Sequence, residues 1–71
     1  MAMTLDRSTL AAMVNACEIR FAQLVCAGTG EDEAADRTFR ALQVATGEAD
    51  EVADPRDRLF ATRLKNMADR S

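Results

Sequence analysis

A chain of 71 residues, 48% hydrophobic, with a net charge of −3, makes one small domain and no more. At this size a fold buries only about 60% of the unfolded chain's surface, so small scaffolds lean on disulfides, a metal or a second subunit. The absence of His, Tyr and Trp removes the base that titrates near neutrality and most aromatic readers of nucleic acid.

The opening MAMTLDRST has no basic region ahead of a 7–15-residue apolar core, so a secretory signal is not expected. Leu10 to Cys26 is apolar but carries Asn15, Glu18, Arg20 and Gln23. It is also shorter than the ~20 residues a membrane span needs, so no membrane is expected. Unpaired cysteines point to a reducing, cytoplasmic setting.

Charge is divided along the chain. Residues 1–30 balance Asp6 and Glu18 against Arg7 and Arg20. Residues 31–54 are acidic (Glu31, Asp32, Glu33, Asp36, Glu48, Asp50, Glu51, Asp54), with only Arg37 and Arg40 opposed. Residues 55–71 are basic, through Arg56, Arg58, Arg63, Lys65 and Arg70. The order neutral, acidic, basic suits neighbouring helices that complement one another.

A first helix is predicted over residues 5–27, with Thr4 or Asp6 as its N-cap and Gly28 as its stop. At about 100° per residue, Leu10, Met13, Val14, Cys17, Phe21, Leu24 and Val25 fall on one side. A back row, Leu5, Ala12, Ala16, Ile19, Gln23 and Cys26, keeps the same rhythm. A helix apolar nearly all round belongs in the middle of something. It is therefore expected to be central, with Leu5, Ala12, Ala16, Ile19 and Cys26 meeting their own copies in a homodimer. Nine residues of helix would hold Cys17 and Cys26 ~13 Å apart, beyond the ~7 Å that a disulfide tolerates. Both thiols should be free.

The second helix is predicted over 31–46, capped by Thr29, with Glu31, Asp32 and Glu33 in the turn where the helix dipole favours acids. Its expected buried stripe is Ala35, Phe39, Leu42 and Thr46, flanked by Thr38 and Ala45. Glu33–Arg37 and Asp36–Arg40 read as exposed i,i+4 pairs, worth about 0.2–0.5 kcal/mol each. Gly47 closes this helix, and an acidic connector follows.

Asp54-Pro55-Arg56-Asp57 is the clearest local signal. Asp54 caps, Pro55 sits where its missing N–H costs nothing, and Asp57 reaches back from the third position. The third helix runs over 55–69, burying Phe60, Leu64 and Met67 with Ala61 and Ala68 beside them. Arg56, Arg63 and Arg70 recur every seven residues, with Leu59 among them. This flank is the expected partner-binding surface.

No catalytic, cofactor-binding or metal-binding residues are expected. Gly28-Thr29-Gly30 is followed by acids and no Lys, which excludes a phosphate loop. The Asp50, Asp54 and Asp57 series lacks the spacing of a calcium loop. Cys17 reads as a small buried hydrophobe, and Cys26 sits at a helix C-terminus that works against a thiolate. In size and composition, though in no motif, the chain looks like the short helical accessory proteins of phages and mobile elements. The expectation is an all-α three-helix bundle, completed by homodimerisation, that regulates a larger protein as inhibitor or adaptor by occupying its surface. The runner-up is a dimeric nucleic-acid-binding regulator using the basic third helix; a pI near 4.7 argues against it.

Overall fold

The computed structural model describes residues 6–70. It is all-helical, with α1 at Arg7–Cys26, α2 at Glu31–Ala45 and α3 at Pro55–Asp69, and no strand among the described residues. The predicted bounds hold to within two residues because local chemistry sets them. Asp6 caps α1 by accepting a hydrogen bond from the Thr9 N–H at 2.7 Å. At the other end Gly28 takes φ +99°. There its N–H bonds the Val25 carbonyl at 3.0 Å, and the Thr29 N–H bonds that of Leu24 at 2.9 Å. This bond pair is a Schellman stop.

The same stop recurs after α2. Gly47 has φ +85°, its N–H bonds the Val44 carbonyl, and the Glu48 N–H bonds that of Gln43. A side chain at either glycine would meet no neighbour, so the backbone angle, not space, demands glycine there. One cap differs from expectation: Gly30, not Thr29, is the N-cap of α2, with no side-chain bond. The helix still begins at Glu31, as predicted, while the Thr29 N–H closes the α1 stop. Asp54 caps α3 as predicted, accepting from the backbone N–H of Arg56 at 2.8 Å and Asp57 at 3.4 Å, with Pro55 in the first turn.

All three helices touch one another, and α2 and α3 share the most extensive interface. The residues these two helices bury are mostly small: Ala34, Thr38, Ala41 and Ala45 on α2, Ala61 and Ala68 beside Leu64 and Asp57 on α3. Met13, Ala45, Leu64 and Ala68 form the core cluster, with Ala16, Cys17, Leu42, Phe60 and Met67 packed around it. Val52, from the connector, folds in as well. Burying Leu64 or Met13 completely contributes about 1.5–3 kcal/mol each.

Two expected stripes are corrected. On α2 the buried row is Ala34, Thr38, Ala41 and Ala45, while Ala35 is exposed and Phe39 is 58% exposed. The helix is rotated so that its smallest residues face the interior. On α1 only Met13 and Leu24 are buried. Cys17, Phe21 and Val25 are half-buried, and Leu10 and Val14 are exposed. The first helix is thus not the enclosed centre that its composition implied. It lies along one side of the α2–α3 pair, apolar face outward as well as inward.

Candidate functional site

Three charged residues tie the three helices together. Asp57 is 5% exposed, and it receives an arginine from each of the other helices. Arg37 of α2 grips it in a fork, Nε to Oδ2 at 2.8 Å and Nη2 to Oδ1 at 3.2 Å. Arg20 of α1 donates Nη2 to Oδ1 at 3.1 Å. Arg37 also lies 3.4 Å from the Asp54 cap carboxylate. Donation to the Asp57 carboxylate raises the Arg37 pKa above its ordinary value; desolvation opposes this, and the nearby Asp57, Asp54 and Glu33 charges add to it.

This cluster overturns two expectations. Asp57 does not turn back to cap its own helix; its carboxylate is taken by the two guanidiniums. Arg37 does not pair with Glu33, because the doubly bonded fork on a buried carboxylate outcompetes one exposed contact. Asp36–Arg40 does form, at 3.9 Å on the solvent side. The sequence held one clue to the cluster: Arg20 is the only base in an otherwise apolar stretch. The cost is a buried Arg20 Nε without a hydrogen-bond partner.

Past this cluster, α1 and α3 diverge and leave a groove of about 350 Å³. Its lining includes Ala16, Ile19 and Gln23 from α1, and Leu59, Phe60, Met67, Arg56 and Arg63 from α3. Ile19 is 52% exposed and Leu59 68% exposed. The expected self-association row and the expected partner ladder therefore meet in one place. Ala16 and Ile19 lie in the groove with Arg56, Leu59 and Arg63. Ala12 and Cys26 are exposed on the same side of α1 by register. Arg70, the C-cap residue of α3, does not line the groove. Leu5 falls outside the described residues.

A second hollow, about 330 Å³, lies between α1 and α2 and is lined by Val14, Cys17, Phe21, Phe39 and Leu42, with Glu18 at its edge. Sequence reasoning missed this one, since it placed Phe39 and Val14 in the core. Cys17 borders it, and burial pushes its thiol pKa up, against any reactive role. Both cysteines are free, Cys26 in the open. Among the described residues no group of His, Cys, Asp and Glu is arranged to hold a metal.

Comparison with family models, curated proteins and solved structures finds no match for this chain.

Proposed function

We propose that this chain is a non-enzymatic protein-binding regulator that docks a larger protein in the groove between α1 and α3. One observation carries the reading. Apolar side chains that a 71-residue domain would gain by burying are left open beside two arginines, Arg56 and Arg63, that form no ion pair among the described residues. Exposed apolar side chains interleaved with charges that steer association are features of a protein interface. Inhibition and bridging both use such a surface.

Length and composition alone would let α1 cross a membrane, at a mean hydropathy of 1.2. Glu18 and Arg20 count against that use, since each charge at mid-bilayer costs about 2.5–3.5 kcal/mol. Arg20 is moreover tied to Asp57 of α3. A cytoplasmic protein acting on another protein fits these facts better.

Homodimerisation through Ala12, Ala16, Ile19 and Cys26 stands as a proposal of its own, and the geometry makes it a competitor. Ile19 cannot face its own copy and a partner at once. Light scattering tests it: Ile19→Glu should halve the mass of the wild type with helix content kept. A wild type that is already monomeric at tens of micromolar removes the dimer.

The functional reading is tested by affinity purification from the native host, with and without nuclease. The expected result is one stoichiometric protein that survives nuclease and is lost in Arg56→Glu/Arg63→Glu. Recovery of nucleic acid alone would move the assignment to the runner-up.

A further inference from the structure

We infer that the α1–α3 groove takes an acidic amphipathic helix, with acids at positions i and i+7 and apolar residues at i+3 and i+4 between them. The inference rests on the protein-binding reading above and names the chemistry of its partner.

The sign of the charge comes first. The charged residues lining the groove are all basic: Arg20, Arg56 and Arg63. Arg20 is already neutralised by Asp57. Arg56 and Arg63 form no ion pair among the described residues, whereas Arg37 and Arg40 each hold an acid. The complement is therefore an acidic segment.

Shape selects a helix. The groove is walled by two helices and follows α3 from Arg56 to Met67, about three turns or ~16 Å at 1.5 Å per residue. Ala16 in the lining lets a third helix come close, toward the 8–10 Å spacing of packed helices. Strand addition needs an open sheet edge, and no strand exists among the described residues. Polyproline segments need several aromatics, and Phe60 is the only one lining the groove.

Register then sets the spacing. Arg56 and Arg63 are two turns apart on one flank of α3, ~10.5 Å along its axis. A helix lying alongside meets both with acids seven residues apart, in either direction. Leu59 and Phe60, between the arginines, meet the apolar pair at i+3 and i+4. The chain's own acidic helix is a poor copy of this pattern. On α2 the residues seven after Glu31, Asp32, Glu33 and Asp36 are Thr38, Phe39, Arg40 and Gln43. A different protein is the better occupant.

The experiment uses the full chain and three labelled synthetic helical peptides, read by fluorescence anisotropy. One carries Glu at i and i+7 around a Leu pair, its twin carries Lys in place of Glu, and the third is scrambled. The Glu peptide should bind about tenfold or more tightly than its Lys twin, with affinity falling as salt rises. Arg56→Glu/Arg63→Glu should reverse that preference, and Leu59→Glu should weaken the Glu peptide without loss of helix content. Phe39→Glu, in the other hollow, should change nothing. Equal binding of the twins, no binding of the Glu peptide, or dependence on Phe39 overturns the inference. If the peptides fail while a host protein is still captured and lost in the arginine double variant, the helical ligand is wrong and the protein-binding function stands. A single-stranded oligonucleotide that outcompetes the Glu peptide for the same arginines also overturns it.

Discussion

The α2–α3 pair and α1 spend their apolar residues differently. The pair is the more polar by sequence, yet it makes the larger interface, and most of what it buries is small: Ala34, Thr38, Ala41, Ala45, Ala61 and Ala68. Close approach of small side chains, each touching many atoms, replaces bulk. α1 is the most apolar helix of the three but buries only Met13 and Leu24 completely. Stability and hydrophobicity are thus partly separated. The surplus on α1 is open to other molecules, and the charged cluster at Asp57 locks the angle at which it is presented.

The comparison breaks most visibly at the core. A chain this long has a stability of roughly 4–10 kcal/mol. Leu64→Ala should remove about 2–5 kcal/mol of it, read from the urea midpoint, because Leu64 is 0% exposed. A loss below 1 kcal/mol would mean that the α2–α3 seam is not the stable part. Next comes the lock. Asp57→Ala leaves two arginines facing each other without their anion and should cost about 3 kcal/mol. Arg37→Met in that background should recover part of the loss, since it removes one of the unpaired charges. Full additivity of the two substitutions would show that the cluster is not a unit.

Acid sharpens the comparison at the helix starts. Backbone N–H groups of Arg56 and Asp57, with Arg37 and Arg56 nearby, hold the Asp54 carboxyl below its usual range, and the Thr9 backbone does the same for Asp6. A lowered folded pKa gives stability that is present above the unfolded value of about 3.9 and lost as pH falls through the folded one. The thermal midpoint should therefore drop below about pH 4, and Asp54→Ala should flatten that limb. Smaller still is the effect on the open face of α1. Leu10→Gln and Val14→Gln should each shift stability by no more than about 0.5 kcal/mol, despite replacing aliphatic residues. The smallest effect is kinetic: at pH 8 a thiol reagent should modify exposed Cys26 before half-buried Cys17, whose pKa burial raises. Equal rates would mean that α1 swings away from the bundle.

The sequence by itself determined where each helix starts and stops. Asp6, Gly28, Gly47 and the Asp54-Pro55 pair act within a few residues of themselves, through orphan backbone groups that need a partner or a left-handed turn. It also placed Leu64, Ala61 and Ala68 of α3 inside, but Phe60 and Met67, expected beside Leu64, are only half-buried and line the groove. The rotation of α1 and α2 about their axes was decided by tertiary structure alone. A helix with apolar residues on every side has no preferred face until a neighbour chooses one, and Phe39 and Val14 lost that choice to Ala41 and Met13. The meeting of Arg20, Arg37 and Asp57 was hinted at only by Arg20, a lone base in an apolar stretch, because Arg37 and Asp57 each had a plausible local role and the separations in sequence exceed any helical period. The merging of Ile19 with Arg56 and Arg63 into one groove follows from that same crossing. Only the packed chain brings the apolar surplus of one helix beside the arginines of another.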